Sequence, residues 1–204
     1  AAANSDIRMV TYLIKIIPRL IQTTDKNGCT AAHSAAKGGS VLVMQALLEA
    51  GLDITAGNND GIHVLHIAVI NDNIQMAKYL IETNPGLIKQ CDNNGLTALH
   101  YAAGGSSVAM MEKLIKAGLD ITARTIYGAH VLHIAAISDN MSIAKYLIDT
   151  NPLSLPHTDN EGRTALHYAA VSSSVAMMDI LTAVGLDTTS RTNNGGHVLH
   201  IAAS

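Results

Sequence analysis

The chain contains no tryptophan and no phenylalanine, and aromatic residues make up only 3% of its 204 positions. A core without large rings must be filled by Ala, Leu, Ile, Val and Met, which suit thin, closely packed helices. Charge is scarce too. Asp, Glu, Lys and Arg total 14%, against roughly 25% in an average soluble domain. Asn, Ser, Thr and Gly must therefore wet the surface. The 13 Lys and Arg residues are scattered among 16 acidic ones, which leaves no basic field for nucleic acid or for an anionic membrane.

Cysteine is nearly absent as well. Cys29 and Cys91 stand far apart in sequence, with neither the pattern of a disulfide framework nor that of a zinc site. Free thiols without a recognisable signal peptide predict a reducing, cytoplasmic setting. The apolar N-terminal stretch IRMVTYLIKIIPRLI is broken by Arg8, Lys15, Pro18 and Arg19. It is too short and too charged to span a bilayer, so no direct membrane insertion is expected.

What the chain has in abundance is itself. GIHVLHIAV at Gly61, GAHVLHIAA at Gly128 and GGHVLHIAA at Gly195 recur at one fixed interval of sixty-seven positions. GLTALHYAA at Gly95 and GRTALHYAA at Gly162 are a second pair at the same interval, and GCTAAHSAA at Gly28 is a worn copy. The leading glycines therefore alternate between spacings of thirty-three and thirty-four, and such a period decides the architecture before any local detail. Each unit opens on a tight polar turn with Gly, such as DNNG at Asp92 or DNEG at Asp159. A short helix follows, with Thr97 or Thr164 as its N-cap. After a break comes a second helix with apolar residues at helical spacing: Val108, Met111, Leu114 and Ile115, or Val175, Met178 and Leu181. The methionines on these second helices are expected to fill the core. Asn84-Pro85 and Asn151-Pro152 stop the second helix in alternate units.

The run D-x-x-G-x-T-A-L-H-x-A-A, with a second helix ending in K-A-G-L-D-I, is similar to the ankyrin repeat along essentially the whole chain. The resemblance implies an all-α fold of helix-turn-helix units with β-hairpin-like turn tips, an ankyrin-repeat solenoid. Full repeats are expected at 25–57, 58–91, 92–124, 125–158 and 159–191, with partial repeats at 1–24 and 192–204. The departures are specific. Ala98 and Ala165 replace the motif's Pro. His63, His130 and His197 take its Thr position. Asp72, Ser106, Asp139 and Ser173 stand where Gly usually joins the helices. The phase of both ends predicts an excerpt of a longer array, open to end-to-end stacking through uncapped termini.

The paired histidines, such as His130 and His133, raise the question of a metal. The resemblance implies that the second of each pair (His33, His66, His100, His133, His167 and His200) bonds the Thr hydroxyl and a carbonyl of the adjoining turn. Zinc wants about four ligands. Pairs two repeats apart would be about 20 Å from one another if layers stack at a helix-packing distance of about 10 Å. A structural role is expected, with no metal and no cofactor. No catalytic residue is expected either, since polar groups recur in register and no nucleophile or phosphate-loop motif occurs.

Recognition is expected where the repeats differ from one another. The resemblance implies that turn tips and the outer face of the first helix form a concave binding side. The candidates are Asp60, Ile62, Ile70, Asn93, Asn94, Leu96, Ile126, Tyr127, Ile137, Asn160, Glu161 and Arg163. Five of the six tyrosines recur at the double-repeat interval, whereas Tyr127 does not, and its counterparts are Asp60 and Asn194. An apolar and aromatic pair, Ile126-Tyr127, on an exposed turn has the character of an interface centre. The expected function is a protein-protein interaction scaffold that binds a protein partner and no nucleic acid. The alternative is a regulatory or elastic array of a larger membrane channel, toxin or secreted bacterial effector.

Overall fold

A computed structural model describes residues 2–152 and 156–203, residues 2–6 by their backbone alone. Leu153, Ser154 and Leu155, within the repeat expected at 125–158, lie outside the described residues, as do Ala1 and Ser204. The chain divides after Asn93 into two compact units.

The first unit holds α1 (Ala2–Ile16), α2 (Ala31–Gly38), α3 (Val41–Glu49), α4 (Val64–Ile70) and α5 (Ile74–Thr83). Short 3-10 turns at Pro18–Gln22 and Pro85–Lys89 follow α1 and α5. Here α2 packs on α4 as an inner pair, while α1, α3 and α5 form the outer row. The second unit holds α6 (Ala98–Gly105), α7 (Val108–Lys116), α8 (Val131–Ile137), α9 (Met141–Thr150), α10 (Ala165–Val171), α11 (Val175–Ala183) and α12 (Val198–Ala202). Its inner row runs α6, α8, α10, α12, and each of α6, α8 and α10 carries its own outer helix behind it.

Inner helices of seven or eight residues are too short to persist alone in water, so packing must hold them. α8 shows how: Val131, Leu132, Ala135 and Ala136 are all at most 1% exposed. The small residues let α6 and α10 approach it from both sides. Outer helices begin at Ser40, Asn73, Ser107, Asn140 and Ser174, whose side chains accept a first-turn N–H, satisfying one donor that the helix cannot. Asn84, ahead of Pro85, leaves the helical region at φ −141° and ends α5.

Two expectations are corrected. Of the expected apolar stripes of α7 and α11, Met111, Leu114 and Leu181 are buried, but the stripes do not begin at the first helical residue. Met110, Met111 and Leu114, then Met177 and Leu181, are buried, while Val175 is 71% exposed. With Ser107 and Ser174 as caps, the first helical residue, half-buried Val108 or exposed Val175, precedes a buried face that starts at the third, Met110 or Met177. Among the glycine replacements, Asp72, Asp139 and Ser173 do adopt the left-handed conformation, at φ 49°, 52° and 56°. Ser106 does not. α6 runs on through Gly105, and Ser106 caps it at φ −93°.

Candidate functional site

Most of the motif imidazoles are among the most buried polar groups of the fold, although His200 is exposed. His66, His100 and His167 are 0% exposed, and His33 and His133 at most 2%. In the Thr-type repeats the ring Nδ1 accepts twice. Thr30 N–H lies 3.1 Å from His33 Nδ1 and the Thr30 hydroxyl 2.9 Å from it. Thr97 with His100 and Thr164 with His167 repeat this at 3.0–3.1 Å. An Nδ1 that accepts a backbone N–H cannot carry a proton, so the neutral Nε2–H tautomer is required. Nε2–H then donates forward to the next repeat, His33 to the Ile62 carbonyl at 3.1 Å and His100 to the Ala129 carbonyl at 3.3 Å. His33 and His100 thus tie repeat to repeat, whereas Nε2 of His133 and of His167 is buried without a hydrogen-bond partner.

The His-type repeats differ in one respect. His63 N–H still donates to His66 Nδ1 at 3.1 Å, and His130 N–H to His133 Nδ1 at 3.0 Å. But the side chain at the cap is an imidazole with no hydroxyl to add. Nδ1 of His63 and of His130 is buried and faces the first-turn amide out of hydrogen-bonding geometry. Burial, with His63 second, pushes His66 down to about 4. Burial followed by His130 does the same for His133. Burial, then His157 and Arg124, hold His130 at about 4 as well.

The turn tips are built from a second repeated device. Oδ1 of Asp25, Asn58 or Asp159 accepts backbone N–H groups two and four residues on. Thr125 and Thr192 use a hydroxyl for the later bond alone. Within the first unit each tip N–H then bonds the carbonyl of the tip before it, Asn59 to Asn27 and Asn93 to Asp60, both at 3.0 Å. The second unit continues the pattern with Ile126 to Asn94, Asn160 to Tyr127 and Asn193 to Glu161. Side-chain amides reinforce it. Asn93 Nδ2 donates to Asn59 O, Asn160 Nδ2 to Ile126 O and Asn193 Nδ2 to Asn160 O, each at 3.0 Å. The amide rests on the preceding glycine. A Cβ on Gly128 would lie 2.3 Å from Asn160 Oδ1, and its φ is +79°, so that position tolerates glycine alone.

The candidate residues differ in how far this frame engages them. Ile126 and Tyr127 project from one tip, 57% and 59% exposed. Ile126 brings no amide where Asn93 and Asn160 do. Ile137 ends α8 and Ile70 ends α4, both exposed. Asn93, Asn160, Asn94, Asp60 and Glu161 lie at tips, Asn93 and Asn160 with their amide nitrogens already engaged. Ile62 and Leu96 are half-buried. Arg163 is tied down: its Nε bonds Asp159 Oδ2 at 2.7 Å and its Nη1 meets Glu161 at 3.3 Å.

Two groups escaped the sequence reasoning. Tyr168 hydroxyl donates to Asp159 Oδ2 at 2.8 Å, with the Arg163 guanidinium 5.3 Å over its ring. Burial works to raise the Asp159 carboxyl, but the bonds from Arg163, Tyr168 and the Glu161 amide together hold it below the usual range. Burial and that same carboxylate push Tyr168 up to about 12. The other is His157, the histidine outside the motif, whose ring stacks on His130 at 4.3 Å. Nothing in the repeat marks it, since position 90 carries Gln. Among the described residues no three His, Cys, Asp or Glu side chains converge as ligands to a metal would. No described helix is long and apolar enough to cross a membrane.

Comparison with known proteins gives the same period. A family model described as ankyrin repeats (3 copies) matches residues 55–125 and 124–192, and a single ankyrin-repeat model matches residues 27–59. A putative ankyrin repeat protein of Acanthamoeba polyphaga mimivirus is 29% identical over 85% of this chain and 23% of its own length. Alpha-latrocrustotoxin-Lt1a of Latrodectus tredecimguttatus is 26% identical over 85% of this chain and 13% of its own. The nuclear factor NF-kappa-B p105 subunit of Gallus gallus is 27% identical over 88% and 19%. The chain thus spans under a quarter of the length of each. A solved structure with a TM-score of 0.68 and 24% identity covers 89% of this chain and 92% of its own. That structure is of the Bd0816 predatory endopeptidase from Bdellovibrio bacteriovorus in complex with the immunity protein Bd3460.

Proposed function

The chain belongs to the ankyrin-repeat family, and from that premise we propose that it is a protein-interaction scaffold, not an enzyme, whose recognition centre is the Ile126-Tyr127 tip. The observation that carries this is the contrast at one turn. Every other described tip is polar and, where it has Asn two residues before the glycine, uses the amide to hold its neighbour. The 126–127 tip presents an isoleucine and a tyrosine to solvent instead, at 57% and 59% exposure. Rigid aromatic and aliphatic side chains on a fixed turn cost little entropy to bury against a partner. In the second unit Ile137, Leu96, Asn94, Asn160, Glu161 and Arg163 form the proposed rim. In the first unit Asp60, Ile62, Ile70 and Asn93 are proposed as contacts in their own right.

The relatives' greater length supports a further proposal, that the array serves inside a longer protein. A regulatory array of a toxin is the alternative reading, favoured by the similarity to alpha-latrocrustotoxin-Lt1a. Both free cysteines support a cytoplasmic setting. Stacking end to end with another copy is proposed as a secondary mode of association.

The test is a pull-down with the intact chain, followed by affinity measurements on the recovered protein. Tyr127→Ala is expected to weaken binding by about 2 kcal/mol or more, as a hot-spot aromatic does, while stability changes by less than about 0.5 kcal/mol. Unchanged affinity would move the interface elsewhere. A stability loss comparable to that of a core leucine would show that the ring packs within the fold.

A further inference from the structure

We propose that the His130–His157 ring stack is a proton-operated latch of the second unit. With the His130 ring neutral it holds residues 156–158 against the base of the 126–130 turn, and when that ring takes a proton it lets the strap go. The rings lie 4.3 Å apart at 25° to one another. Neutral imidazoles stack favourably in that arrangement, whereas a charge placed on the buried His130 ring is cut off from the hydration it would have in water. His130 is 5% exposed, and Nδ1 of each ring is buried without a hydrogen-bond partner. A proton arriving at His130 Nδ1 therefore finds no acceptor waiting.

The surrounding charges make the response one-sided. His130 faces Arg124 from its own loop, His100 from α6, His133 from α8 at 5.9 Å, and the Thr122 carbonyl. Asp120 feels it only weakly, behind its own bonds to Thr122. Asp159, the next carboxylate, faces His133 and is occupied by Arg163 and Tyr168. Arg124 closes the circuit. Its Nε donates to Gly128 O at 3.2 Å and its Nη2 to Thr158 O at 3.1 Å, so one fixed cation already clips the turn to the strap. Added positive charge on His130 meets that guanidinium, and opening of the turn from the strap admits water to both cations.

The first unit supplies an internal control. At the equivalent positions one double repeat earlier it carries His63 for His130, but Gln90 for His157 and Gly57 for Arg124. It has the buried cap imidazole without the latch. Because Ile126 and Tyr127 lie between Arg124 and His130, opening would reposition the proposed recognition tip. That consequence rests on the proposed function, whereas the latch does not.

Hydrogen exchange on the intact chain, read by mass spectrometry at pH 7.5 and pH 5.0 and corrected for intrinsic rates, tests the latch without any partner. Peptides covering 124–131 and 156–160 are expected to open about 30-fold more at pH 5.0, from one imidazole whose proton affinity is restored on opening. The excess should exceed that of residues 57–64 and 89–93. His157→Gln is expected to bring the second unit down to the level of the first. Arg124→Gln, which removes the opposing cation, should reduce the excess even if His157→Gln fails to fold. Equal responses of the two units, or an excess that survives in whichever variant folds, would overturn the latch. If the latch holds but acid leaves affinity for a recovered partner unchanged, the recognition tip is misplaced and the latch stands.

Discussion

The two kinds of cap make an experiment of His63→Thr. The variant would convert a His-type repeat into the Thr-type seen at Thr30, Thr97 and Thr164, whose hydroxyls sit 2.9–3.0 Å from Nδ1 of the following histidine. His66 Nδ1, which now accepts one backbone N–H at 3.1 Å, would gain a second donor. That bond contributes about 1 kcal/mol net, and removing a buried Nδ1 without hydrogen-bonding geometry relieves about 1–3 kcal/mol more. Against this, Thr buries less surface than an imidazole that is 9% exposed, a loss of about 1 kcal/mol at about 25 cal/mol per Å². The balance predicts stabilisation of about 1–3 kcal/mol. Urea melts at pH 7.5 should show a higher midpoint with an unchanged slope. At pH 5 the advantage should grow, because His63 both resists protonation itself and lowers His66. A variant less stable than the parent at pH 7.5 would mean that the ring's packing outweighs the bond it displaces, and the energetic ordering would have to be reversed.

Acid should destabilise the whole chain. His66 and His133 sit at about 4 when folded and near about 6.5 when unfolded, so the unfolded chain binds more protons below about pH 6.5. Stability is full above that value and falls as the pH drops toward 4, by about 2 kcal/mol per site at pH 5 from single-site arithmetic. A melting temperature that does not move between pH 7.5 and 5 would contradict the neutral tautomers. Leu132→Ala, removing a side chain 1% exposed, should cost about 2–5 kcal/mol in denaturant melts. Ser173→Gly should stabilise by about 0.5 kcal/mol, since φ 56° strains a serine and glycine gives back part of that relief in unfolded-state entropy. An unchanged or lower midpoint would show that no strain is held there.

The period and the caps were legible in the sequence because each is a local pattern repeated in register, whereas the histidines' role came from the resemblance to ankyrin repeats. Thr97 and Thr164 cap helices for the same reason that any Thr does, and repetition makes the position certain. The apolar stripe of α11 was misjudged by counting from Val175, because a cap shifts which residue first meets the core. Of the candidate site, the Ile126-Tyr127 turn stood out by failing to repeat. The tie between Asn160 Nδ2 and Ile126 O could not be seen, since an asparagine on a turn looks the same whether it is free or bonded across repeats. His157 was invisible for the opposite reason. It recurs nowhere, and its partner His130 belongs to a different turn.

The alternation of caps bears on how such a chain can lengthen or shorten. His33 reaches forward 29 residues to Ile62, and His100 reaches 29 to Ala129, each just past the next turn's glycine. His66 reaches only 24 residues, to Gln90, short of the next turn. These three junctions are thus of two kinds, one reaching past the next turn's glycine and one stopping short of it. Excising a single repeat would set a histidine against a carbonyl at the wrong height and leave a buried Nε2–H searching for an acceptor. Excising or copying a whole double repeat keeps these junctions in kind. The pair, not the single repeat, is the quantum by which this sequence can be edited, and designed arrays drawn from it should be cut at that length.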